Sequence, residues 1–70
     1  MILERKLYLG RNRWDERYVD VFPVSNIDEA CEEVMRQEGD SPYIDDVRSD
    51  LAMTGEFHAE THSYFLSDGE

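Results

Sequence analysis

Seventy residues with a formal net charge of −10, 40 % of them hydrophobic and 11 % aromatic, have the composition of one small folded domain rather than of a disordered acidic tail. Seventeen acidic residues against seven basic ones make direct binding to nucleic acid or to an anionic membrane leaflet electrostatically unfavourable. The single cysteine, Cys31, excludes an intramolecular disulfide framework and a cysteine-rich zinc module, and suits a reducing cytoplasm.

Taken in chain order, residues 2–9 (ILERKLYL) place Leu3, Leu7 and Leu9 on one side and Glu4, Lys6 and Tyr8 on the other, the alternation of a half-buried strand. Charge already at residue 4 leaves no apolar leader in this segment, and no stretch approaches the roughly 20 apolar residues of a membrane span. The expectation is a protein neither exported by that route nor embedded. Gly10 and Asn12 mark a turn into a second strand at residues 17–22, with Val19 and Val21 facing inward and Tyr18, Asp20 and Phe22 outward. Pro23 cannot donate to a ladder, so it ends that strand or puts it at an edge.

Ser25 or Asn26 caps a helix predicted over 27–38, whose apolar series is Ile27, Ala30, Cys31, Val34 and Met35. Gly39 is its expected left-handed stop. A second helix is predicted over 42–53, with Asp40 or Ser41 as cap, Pro42 in the first turn, a stripe of Tyr43, Ile44, Val47 and Leu51, and Gly55 as terminator. Residues 57–66 alternate as a third strand, with Phe57, Ala59, Thr61, Ser63 and Phe65 on one side and His58, Glu60, His62 and Tyr64 on the other, before a mobile SDGE tail. The fold class is α+β: a ββααβ order forming a three-stranded antiparallel sheet with two helices packed on one face. The order leaves open whether the third strand pairs with the first or the second; Pro23 favours the first.

Acidity is uneven along the chain. Residues 1–20 hold five basic and four acidic residues, whereas residues 21–70 hold two basic and thirteen acidic ones. On the first helix Glu29, Glu32 and Glu33 lie opposite the apolar stripe with Asp28 at its flank, and the second helix adds Asp45, Asp46 and Asp50. Carboxylates one helical turn apart sit about 6 Å from each other, comparable with phosphate spacing along one nucleic-acid strand. With its small size and want of catalytic motifs, this placement resembles the acidic DNA-mimicking anti-restriction and anti-CRISPR proteins by which phages and other mobile elements block host nucleases. The resemblance covers size and charge placement and involves no sequence motif. It implies a non-enzymatic inhibitor, acting in the cytoplasm of the cell or of a phage's host, that occludes a basic surface of a nucleic-acid-binding protein. Two plainer readings stand beside it: a solvated face that maintains solubility, or a charge suited to a cytoplasm of high salt.

Three further groups of residues are candidates. Arg13 and Trp14, in the only basic loop, have the residue types of interface anchors and are assigned to partner binding with the helix carboxylates; the alternative folds Trp14 back onto the core. Tyr8, Tyr18, Phe22 and Tyr64 are expected together on the open sheet face, as a homodimer or accessory-subunit interface. His58 and His62 would be metal ligands only if they converged, and residues two apart on a flat strand are separated by roughly 6.6–6.8 Å. No metal or cofactor is therefore expected. Cys31, on an apolar stripe, reads as a core residue, and no phosphate loop or triad motif points to an enzyme.

Overall fold

The computed structural model describes residues 1–68 and is α+β, with a sheet of five antiparallel strands carrying two helices on one face. Its central strand is β1 (Ile2–Gly10). A tight reversal follows in which Gly10, Arg11 and Asn12 all have positive φ (92°, 55° and 57°), and the Asn12 N–H donates to the Tyr8 hydroxyl at 3.1 Å. Left-handed backbone is tolerated by Gly and Asn and costly for Arg, so the Tyr8 bond and the strand pairing together hold Arg11 there. The chain returns as β2 (Arg13–Trp14), opposite Tyr8 and Gly10, with an irregularity in register between them.

The second strand is shorter than expected and turned over. Instead of residues 17–22 it is β3 (Asp20–Pro23), and Tyr18 lies outside it, 76 % exposed. Phe22 pairs with Leu3 and so shares its helix-covered face, while Val21 faces outward opposite Glu4. The larger apolar ring takes the buried side, and Asp20 opposite Arg5 is held by an ion pair of 3.1 Å. β2 and β3 thus occupy successive stretches of one edge of β1, with Pro23 on an edge strand where its missing donor is tolerated.

Helix α1 (Ile27–Gln37) matches the periodic pattern closely. Asn26 Oδ1 accepts from the Glu29 N–H at 2.9 Å, and Glu29 Oε1 accepts from the Ser25 N–H at 3.0 Å, a reciprocal cap. After Gly39 (φ 66°) and Asp40 (φ 61°), α2 (Ile44–Thr54) begins two residues later than expected. Pro42 lies before it, and Tyr43 at its N-cap makes no side-chain capping bond. Tyr43 is 80 % exposed and Ile44 is also exposed, so the buried stripe of α2 is Val47 and Leu51. Gly55 (φ 75°) ends it as expected.

The predicted third strand is a hairpin. β4 (Glu56–His58) and β5 (His62–Ser67) pair antiparallel through a turn at residues 59–61, with Phe57 opposite Tyr64 and His58 opposite Ser63. Reversal changes the faces: Tyr64 joins Phe57 on the helix side, and Phe65 comes out on the open side opposite Glu56. β5 lies along the free edge of β1, from Ile2↔Ser67 to Leu7↔His62, so of the two pairings left open the last strand takes the one with the first. Gly69 and Glu70, part of the expected mobile tail, lie outside the described residues.

The core sits between sheet and helices and consists of Leu3, Val24, Phe57 and Tyr64 against Ala30, Cys31 and Val34 of α1 and Val47 and Leu51 of α2. Leu7 and Leu9, expected beside Leu3, are exposed. The position between Leu3 and Leu7 on that side belongs to Arg5, whose polar contacts with Tyr64 and Asp20 border the apolar layer. No helix among the described residues is long and apolar enough to cross a membrane.

Candidate functional site

The helical layer carries most of the negative charge: residues 27–54 contain nine carboxylates and two arginines. The carboxylates differ in what they are free to do. Arg48 bridges the helices by pairing with Asp28 at 3.1 Å and Asp45 at 3.5 Å. Glu33 is largely buried and accepts from Arg36 at 2.6 Å and Gln37 at 2.9 Å, and Glu29 serves the α1 cap. Glu38 takes the hydroxyl hydrogen of Tyr64. Of the six acidic residues expected to face a partner, Glu32, Asp46 and Asp50 remain exposed with neither an ion pair nor a side-chain hydrogen bond among the described residues. Glu32 also borders a shallow groove with Met35, Arg36, Asp40 and Ile44, where apolar floor and carboxylate rim adjoin.

Trp14 does not join this surface. β2 sets it opposite Tyr8 on the sheet face that the helices leave open, with ring centroids 5.4 Å from Tyr8, 5.4 Å from Phe65 and 6.0 Å from His58. Lys6 Nζ lies 5.3 Å above the Phe65 ring and pairs with Glu16 at 2.9 Å. Arg13, next to Trp14 in an edge strand two residues long, is exposed. The helix carboxylates and the Trp14 group therefore occupy opposite faces, and one flat partner surface cannot cover both.

Of the four aromatic residues expected on the open face, only Tyr8 is there. Tyr18 is in the loop before β3, Phe22 packs on the core, and Tyr64 is fully buried under the helices. The Tyr64 hydroxyl donates to Glu38 and accepts from Arg5 Nε at 3.1 Å. Burial, reinforced by the Glu38 carboxylate, pushes the phenol well above its ordinary range. Burial likewise raises the Cys31 thiol, which keeps it protonated and unreactive within the core.

The hairpin also separates the histidines. His58 faces the open side, where Nδ1 is 2.9 Å from Ser63 Oγ and Nε2 is 3.2 Å from Glu56 Oε1. His62 pairs with Leu7 on the other face, 3.5 Å from Arg5 Nη2. No group of three or more ligating side chains gathers among the described residues. The Ser63–His58–Glu56 series has the composition of a catalytic triad but a different setting. Ser63 is 2 % exposed, near the start of a strand and paired there along both edges, so the series orients the imidazole rather than presenting a nucleophile.

Beside it Tyr8, Asn12, Trp14, Glu56, His58 and Ser63 line a cavity of about 300 Å³. Sequence reasoning missed Glu56, Ser63 and Phe65 as members of this face. Their placement depends on the reversal at residues 59–61, a stretch with no Gly, Pro or Asn to mark it. No protein-family model, curated protein or solved structure matches the chain.

Proposed function

We propose that this protein acts by stoichiometric binding, presenting its helical layer to the basic nucleic-acid-binding surface of a partner protein and occluding it, in the manner of anti-CRISPR and anti-restriction DNA mimics. The observation that carries the reading is the division of charge between layers. Nine carboxylates and two arginines lie over residues 27–54, against seven acidic and five basic residues in the rest of the described chain. A protein whose charge served solubility alone has no need of that division. Glu32, Asp46 and Asp50, exposed and without partners of their own among the described residues, stand in for phosphates. Asp28 and Asp45 become available when a basic partner competes with Arg48, because exposed ion pairs of this kind are worth only about 0–1 kcal/mol.

The test reverses charge at positions outside the core. Capture from the native or host lysate is performed with the wild-type protein and with Glu32→Lys/Asp46→Lys/Asp50→Lys, at low and high salt. The wild type is expected to retain a nucleic-acid-binding protein at low salt, to release it as salt rises, and to block its nucleic-acid binding in proportion to occupancy. Capture that survives the triple reversal, or a captured protein that still binds nucleic acid, refutes the reading. A second reading, an accessory subunit docking through its open sheet face, is favoured by the Tyr8, Trp14, His58 and Phe65 rings gathered there. It predicts capture that is lost on Tyr8→Ala and insensitive to salt.

A further inference from the structure

The cavity on the open sheet face has a chemistry of its own, independent of the helical layer. We propose that it is a binding site for an arginine side chain presented within a peptide segment. The reading of the acidic helices can fail without affecting this one, because the two involve different residues on opposite faces.

The walls come first. The Tyr8, Trp14 and His58 rings adjoin at 5.4 Å and 6.0 Å, so half of the six lining residues form a continuous aromatic surface. Indole is the strongest aromatic partner for a cation, and the same sheet face already holds one such contact, Lys6 over Phe65 at 5.3 Å. The charge comes second. Among the described residues Glu56 is the one carboxylate lining the cavity, and neither lysine nor arginine lines it. Glu56 Oε1 is 3.2 Å from His58 Nε2, while Oε2 has no hydrogen-bond partner among the described residues. A planar guanidinium lies flat against a ring and still donates sideways to a carboxylate, which a compact ammonium does less well.

The source of the guanidinium follows from the stem that carries it. Free guanidinium offers only its plane and its donors, whereas the methylenes of an arginine side chain add apolar contact with the Tyr8 and Trp14 rings.

The test uses the single tryptophan, which gives one indole N–H resonance, in the full-length protein. The peptide acetyl-Gly-Arg-Gly-amide is titrated into labelled protein, alongside the same peptide carrying lysine or the neutral isostere citrulline, and guanidinium chloride at matched ionic strength. The arginine peptide is expected to shift the Trp14 indole resonance saturably, and the citrulline peptide to bind about tenfold more weakly. Glu56→Gln should weaken the arginine peptide by about tenfold, with Glu32→Gln within about twofold of wild type. Both substitutions are at exposed positions, and an unchanged melting temperature separates lost binding from lost structure. The assignment is overturned if the indole resonance does not move at saturating peptide, or if citrulline, lysine or free guanidinium performs within about twofold of the arginine peptide. Equal weakening by Glu56→Gln and Glu32→Gln would overturn it as well, since that is diffuse attraction by an acidic protein.

Discussion

Replacing Tyr64 by Phe removes one oxygen from the middle of the molecule and leaves the ring in place. That hydroxyl joins three elements: it donates to Glu38 at the end of α1, accepts from Arg5 of β1 at 3.1 Å, and is carried by β5. A hydrogen bond to a charged group contributes roughly 1.5–3 kcal/mol, and two are lost. The sum is an upper bound, because Arg5 keeps Asp20 at 3.1 Å and half-buried Glu38 regains some water. A net cost of about 2 kcal/mol follows, a large share of the roughly 4–10 kcal/mol that holds a domain of this size together. Thermal melting followed by circular dichroism at pH 7 should show a midpoint lower by roughly 8–16 °C. A cycle with Glu38→Gln should return a coupling of about 1 kcal/mol. The raised phenol gives an independent readout. A group whose folded-state pKa is raised binds its proton more tightly in the native state, so its stabilising share is complete below about pH 10 and is lost as pH rises further. Wild type should therefore lose stability above pH 10 more steeply than Tyr64→Phe, and one of its four tyrosines should ionise only on unfolding. A Tyr64→Phe midpoint within about 3 °C of wild type, with parallel alkaline slopes, would refute the network as a source of stability.

Two other measurements test the architecture. Gly55→Ala puts a side chain at φ 75° and a Cβ 3.2 Å from the Leu66 carbonyl oxygen, so urea denaturation should show a loss of about 1–2 kcal/mol; an unchanged midpoint would contradict the left-handed end of α2. Cys31 should react with a thiol reagent only through opening of the fold, at a rate that climbs with denaturant, whereas immediate stoichiometric labelling of the native protein would place it outside the core.

What sequence reasoning recovered follows the range of the forces involved. Helix α1 was readable to within a residue because Asn26, Ile27, Ala30, Cys31 and Val34 encode cap and buried face within one short segment. Gly55 marked the end of α2 for the same reason. The hairpin of β4 and β5 was not readable, because the Ala59–Thr61 turn lacks turn-forming residues and the continuous alternation through Phe57 and Phe65 satisfies a single strand equally well. What decides between them is distant: Tyr64 finds Glu38 and Arg5 only once α1 and β1 are in place. The register of β3 likewise turned on Leu3 and Arg5 across the ladder, not on its own residues. For the candidate surfaces, the identities of Tyr8 and Trp14 and the run of helix carboxylates could be singled out, but not that they face apart, nor that Glu56 and Ser63 lie beside Trp14.

The pairing of β1 with β5 joins Ile2 to Ser67 and Leu7 to His62. During synthesis β1 can pair with β2 and β3 early, but its other edge waits for β5, and Leu3 has no Tyr64 or Phe57 to pack against until the last hairpin has been made. Helix α1 has its cap and its buried face encoded locally, and its carboxylates lie on the side opposite the still uncovered Ala30, Cys31 and Val34. Like-charge repulsion between nascent chains opposes their association while Ala30, Cys31 and Val34 await the sheet.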